Sequence, residues 1–95
     1  KWSVSFQSRF GREEWVRPYT EPHLEELAEK GIKRVVVFCP SFVSDCLETL
    51  EEIGLQAAEN FRKCGGEELI LVPSLNDHPE WIKSLTSIIR KQLSP

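Results

Sequence analysis

The chain has 95 residues, 40% of them hydrophobic and 28% charged, with a formal net charge of -3 and a pI near 5.4. A chain of that size carries one core and no more, and its twelve scattered Lys and Arg form no basic stripe of the kind a nucleic-acid partner requires. No apolar run approaches the roughly 20 residues needed to cross a bilayer, and no charged-then-apolar leader opens the sequence, so a cytoplasmic setting is expected.

Trp2, Val4 and Phe6 alternate with Ser3, Ser5 and Gln7, the period-two pattern of an edge strand with one buried face. A long connection through Phe10-Gly11 and Pro18-Tyr19-Thr20 leads to a helix that starts at Glu21 and Pro22, turns Leu24, Leu27 and Ala28 to one side, and stops at Gly31. Residues 34–39 are a continuous apolar run, expected of a central parallel strand covered by helices on both faces. A second helix is expected from about Ser44 to Cys64, with Leu47, Leu50, Ile53, Ala57 and Phe61 at core spacing and Gly65-Gly66 as its stop. Residues 69–72 form another buried strand, ended by Pro73. Asp77 then caps a third helix with Pro79 and Glu80 in its first turn and an apolar stripe of Trp81, Ile82, Leu85, Ile88 and Ile89. Three successive strand-helix units predict one α/β domain over residues 1–95, a three-layer αβα sandwich around a parallel sheet.

In such a sheet ligands bind beyond the carboxyl ends of the strands, which selects residues 7–11, 40–48 and 74–78. No glycine-rich phosphate loop follows any strand, so a nucleotide site is disfavoured. Cys39, Cys46 and Cys64 are spaced by seven and eighteen residues, which fits free thiols and neither a disulfide framework, a zinc knuckle nor an iron–sulfur cluster. The chain also holds no methionine and opens directly in a strand-like pattern, which reads as a piece of something longer.

The most informative stretch is CPSFVSDCLETLEEI at residues 39–53, where a strand end breaks into a helix whose first turns carry Glu48, Glu51 and Glu52. Two readings stand side by side. One is a solvated helix face whose N-terminus is capped by Asp45, with Glu48 three residues on completing a capping box. The other is a carboxylate cluster at the mouth of the fold, available for chemistry.

Together with SFQSRFGREEW at residues 5–15, PYT at 18–20 and SLN at 74–76, this stretch resembles the carboxyl-terminal part of ferrochelatase in its Gram-negative bacterial form. The resemblance is co-linear over nearly the whole chain. It implies a chelatase-like fold of two α/β domains with a porphyrin between them, of which this chain would be most of the second, its amino-terminal domain being the missing partner. It also implies insertion of Fe(II) into protoporphyrin to make protohaem, the last step of haem synthesis, with ferrous iron and porphyrin as substrates and no permanently bound cofactor. The family's catalytic histidine belongs to the other domain. His23 and His78 do not match it and read as surface or capping residues, so the isolated chain is expected to be inactive. Peripheral membrane association stays open.

Metal insertion must remove two pyrrole protons while hydrated Fe(II) sheds its waters, so the site needs a base and a loosely binding oxygen or nitrogen ligand. By resemblance Glu48 is that catalytic carboxylate and a metal contact. Glu52, one turn along, continues an acidic line as a second metal contact or stands as an ordinary solvated position; Gln56, next in line, is not acidic. Trp15 and Phe42 match aromatic positions of the porphyrin pocket, with core packing as the rival reading for each. Gln7 and Ser8 border the cleft. Cys46 stands where many ferrochelatases carry histidine, and its thiol either contacts the substrate or a soft metal or packs as a small side chain. Arg9 and Arg12 reach porphyrin propionates or stay solvated. Two other functions remain: a cobalt chelatase of the same fold, or an inert structural domain.

Overall fold

The computed structural model describes residues 1–8, 14 and 16–94, so the expectations on Trp15, Arg9 and Arg12 lie outside the described residues. Two of the expected strands form and pair in parallel. β1 (Arg34–Val37) meets β2 (Glu68–Leu71) in a register running from Arg34 opposite Glu68 to Val37 opposite Leu71. Parallel neighbours need a crossover, and the chain between them supplies a helical one. Alternation along the strands then divides their side chains. Leu69 is buried, and Val35, Val37 and Leu71 pack on the core from the same face. Val36 and Ile70, opposite each other, point the other way: Val36 is 66% exposed, and Phe38 beyond it 67%.

The chain is thus α/β around a parallel sheet, with the π-helix and α2 of the crossover packed on one face of β1 and β2 and α1 joined to the same core. The expected edge strand at the amino terminus does not form. Its backbone makes only an isolated parallel bridge, Phe6 to Tyr19, in which the Phe6 N–H donates to Pro18 O at 2.9 Å and the Thr20 N–H to Phe6 O at 3.0 Å. An extended segment becomes a strand only where a neighbour takes its backbone groups in series, and none does so here among the described residues. Trp2 accordingly stands 85% exposed. Side chains hold the segment to the next helix instead, through Ser5 Oγ to Thr20 Oγ1 at 2.9 Å and Ser3 Oγ to His23 Nε2 at 2.8 Å.

α1 (Thr20–Glu29) starts one residue before the expected Glu21 and buries Leu24 and Ala28; it ends where Gly31 takes φ +91°, a conformation open to glycine at little cost. The crossover after β1 holds the largest departure from expectation. Its helix begins with a π-helical run, Glu48–Ala57, and continues as α2 (Ala58–Lys63). The Ala58 N–H donates to Ile53 O, five residues back. No helix covers Ser44 to Cys46. Asp45 makes no backbone cap, because its carboxylate is directed elsewhere, as described below.

Thr49, Ile53 and Ala57, four residues apart, turn inward and are followed by Ala58 and Phe61, which with Leu24, Ala28 and Leu69 complete the core. Two glycines permit this packing. A Cβ on Gly54 would stand 3.3 Å from Leu71 Cδ2, so the bare backbone lets the π-helix lie close on β2, and a Cβ on Gly66 would overlap the ring of fully buried Phe61.

α3 (Pro79–Leu93) is capped by His78, not by the expected Asp77: His78 Nδ1 accepts the Glu80 N–H at 3.2 Å. Its apolar stripe exists but buries nothing completely, and Ile82, Ile88 and Ile89 are each about half exposed. No helix of the described residues is long and apolar enough to cross a membrane.

Candidate active site

Glu48 sits where the sequence placed it, at the first turn of the crossover helix and beyond the carboxyl end of β1. A web of hydrogen bonds fixes the approach to that turn. After β1 the chain reverses through a Phe42 N–H to Cys39 O bond of 3.2 Å and reaches Asp45, whose carboxylate draws in the loop after β2. Asp45 Oδ1 accepts from Ser74 Oγ at 3.0 Å and from Thr49 Oγ1 at 2.9 Å, while Oδ2 accepts from Asn76 Nδ2 at 2.9 Å and from the Ser74 N–H at 3.2 Å. In return the Asp45 N–H donates to Asn76 Oδ1 at 2.8 Å. Donors favour the ionised form, and those from Asn76 above all, then Thr49, hold the Asp45 carboxyl below its ordinary value. Asn76 meets this geometry in the left-handed region at φ +50°.

Thr49, wholly buried, links this clamp to the helix. Its hydroxyl donates to Asp45 and accepts the Cys46 N–H at 3.0 Å, which satisfies one of the donors a helix start leaves open. Cys46 Sγ lies 2.8 Å from Glu48 Oε2 and donates to it. From the other side Gln7 Nε2 donates to the backbone carbonyl of Glu48 at 2.9 Å, and Gln7 Oε1 accepts from Cys39 Sγ at 3.6 Å. Burial, then the nearby Asp45 and Cys46, pushes the Cys39 thiol above its ordinary value, so that thiol stays protonated and able to donate.

Two concavities flank the π-helix. A cleft of about 340 Å³ runs between the amino-terminal segment and the helix, lined by Gln7, Ser8, Tyr19, Glu52 and Gln56 among others. A second of about 330 Å³ is formed by Leu47, Glu48, Glu51, Glu52 and Gln56. Glu52 and Gln56 belong to both. The four-residue spacing of Glu48, Glu52 and Gln56 is therefore a continuous polar wall. Gln56 Nε2 donates to Glu51 Oε1 at 3.2 Å, whereas the Glu52 carboxylate has no hydrogen-bond or ion-pair partner among the described residues.

Of the residues selected from sequence, the fold brings Gln7, Cys46 and Glu48 into direct contact and sets Ser8 and Glu52 in the adjoining cleft. Phe42 is half-buried and lines neither concavity. His23 and His78 are spent on Ser3 and on the cap of α3. Thr49 and the Asp45–Asn76 clamp were not legible as parts of the site, because their partners lie up to 31 residues away. Chemically the arrangement presents oxygen ligands and a fixed, half-buried carboxylate able to take a proton. No group of three or more His, Cys, Asp or Glu among the described residues is placed to hold a metal ion.

The ferrochelatase family model matches residues 1–93. The chain belongs to the ferrochelatase family. Ferrochelatases of Pseudomonas putida and Pseudomonas fluorescens are each 59% identical to it over 91 residues, and that of Pseudomonas syringae pv. syringae is 62% identical over the same length. Each comparison covers 96% of this chain but 27% of the relative, so the chain spans about a quarter of the length of the curated relatives it matches. Membership of the family carries the α/β, chelatase-like fold class with it.

Proposed function

We propose that this chain is the carboxyl-terminal domain of a ferrochelatase, a lyase that inserts Fe(II) into protoporphyrin, and that Glu48 is its catalytic carboxylate. The carrying observation is that Glu48 is tied at both ends, by Gln7 at its carbonyl and by Cys46 at Oε2, while its side chain borders an open concavity. A structural glutamate on a solvated face gains nothing from such anchoring, since exposed polar contacts contribute little to stability. A carboxylate that must meet a pyrrole proton gains from being held in place, because orientation lowers the barrier.

On this reading Glu48 accepts a pyrrole proton and Glu52, one turn along and unpaired among the described residues, offers oxygen to the arriving metal. Gln7 and Ser8 border the porphyrin edge, and Trp15 and Phe42 supply aromatic area to the macrocycle. The opposing base and the other wall of the pocket come from the amino-terminal domain, so the isolated chain turns over no porphyrin. A cytoplasmic setting without a permanently bound cofactor fits this scheme.

The test replaces the matching segment of Pseudomonas putida ferrochelatase with this chain and introduces Glu48→Gln. Zinc and iron insertion should fall by about 10²- to 10⁴-fold, the usual contribution of a general base, while porphyrin binding followed by fluorescence persists. Retained turnover would remove Glu48 from the mechanism. Preferential use of cobalt and a corrin precursor by the same protein would favour the cobalt-chelatase reading.

A further inference from the structure

The sulfur of Cys46 is the one group within hydrogen-bonding distance of the Glu48 carboxylate among the described residues. A thiol is ordinarily a weak donor, but a carboxylate acceptor strengthens and shortens such a bond, and 2.8 Å is short for sulfur. The thiol also hangs from a backbone held by hydrogen bonds on both sides. The Cys46 N–H is held by Thr49 Oγ1, and its carbonyl accepts the Leu50 N–H at 2.8 Å and the Thr49 N–H at 3.2 Å. Thr49 is in turn locked to the Asp45 clamp.

Glutamate has three side-chain torsions, and the first turn of an exposed helix does little to choose among them. Glu52, on the same wall, has no partner among the described residues to restrict it. Glu48 differs in that one oxygen is occupied by sulfur, leaving Oε1 without a partner among the described residues. We propose that Cys46 is a positioning residue for Glu48: its thiol holds Oε2 so that Oε1 alone is presented to the reacting centre. This rests on the assignment of Glu48 as the catalytic carboxylate. Cys39 acts at one remove, since its thiol steadies the Gln7 amide that grips the Glu48 carbonyl. Both cysteines therefore converge on one glutamate, from its side chain and from its backbone.

The test uses the same full-length hybrid, with kcat and porphyrin KM measured by zinc insertion and folding checked by circular dichroism. Cys46→Ala should lower kcat about tenfold, the scale of a misplaced catalytic group, with KM within about twofold. Cys46→Ser keeps a donor and should recover kcat to within about threefold of the parent. In the Glu48→Gln background Cys46→Ala should change the residual rate by less than about twofold, because residues acting through one another are not additive. An unchanged kcat in Cys46→Ala, with Glu48→Gln still inactive, overturns the positioning role and leaves the catalytic assignment standing. A loss in Cys46→Ala that Cys46→Ser does not recover, with KM rising in step, marks a packing role and overturns it equally. If Glu48→Gln itself turns over normally, the catalytic assignment falls and the positioning role falls with it.

Discussion

Thr49→Val isolates the hydroxyl that joins the site to the core. Valine matches threonine in shape, and position 49 is 0% exposed, so the substitution opens no cavity and removes only hydrogen bonds. The Cys46 N–H loses its acceptor at 3.0 Å and Asp45 Oδ1 loses one of its two donors within 3.0 Å, while the bonds from Ser74 and Asn76 remain. A buried hydrogen-bonding group deprived of its partner costs about 1–2 kcal/mol. For a domain of this size, 1 kcal/mol moves Tm by about 4–8 °C, so a fall of roughly 4–16 °C is expected in a far-UV circular dichroism melt. Amide exchange adds a site-specific readout: the Cys46 N–H should exchange faster in Thr49→Val, whereas Thr49→Ser, which keeps the hydroxyl and loses one methyl, should leave that amide protected. A Tm within about 2 °C of the parent, or an equally protected Cys46 amide in Thr49→Val, would refute the claim that this hydroxyl pins the helix start.

Gly66→Ala forces a Cβ into the ring of fully buried Phe61 and should cost about 1–3 kcal/mol by urea unfolding; an unshifted midpoint would show that the ring can yield. The Asp45 carboxyl is depressed in the folded chain relative to its ordinary value of 3.8, so its contribution is present above pH 3.8 and is lost as pH falls through the lower folded value. The Tm difference between the parent and Asp45→Asn should therefore shrink as a melting series is taken to acid, and a constant difference would contradict the clamp. Ile82→Ser and Ile89→Ser, about half exposed on an α3 stripe that buries no residue completely among the described residues, should each change stability by less than about 0.5 kcal/mol, and a larger loss would mean that α3 is packed in solution.

Much of the local architecture was readable before any coordinates. The valine-rich stretch within residues 34–39 becomes β1, but the cover expected on both of its faces is present on one alone among the described residues and Val36 and Phe38 stay exposed; α1 ends at Gly31 because few other residues adopt its positive φ. Trp2, Val4 and Phe6 show the opposite case. Their alternation is a correct description of an extended segment, but pairing is a property of two segments, and among the described residues only Tyr19 bridges to this one. α3 is similar: its stripe identifies the helix, whereas the burial of that stripe depends on what lies against it. The π-helical winding of Glu48–Ala57 had no signature, since residues spaced by four fall on one face of either an α- or a π-helix to a first approximation.

Sequence by itself determined the family, the order of the helices and of the two strands that pair, and the candidacy of Glu48, because these rest on residue types and short spacings along the chain. Only the tertiary structure decided how Glu48 is held. Gln7 reaches it from 41 residues away and meets Cys39 across 32, and Asn76 closes the Asp45 clamp from 31 residues away. Hydrogen bonds are chosen by distance in space, and folding brings those partners together only by packing β1, β2 and the π-helix on one core.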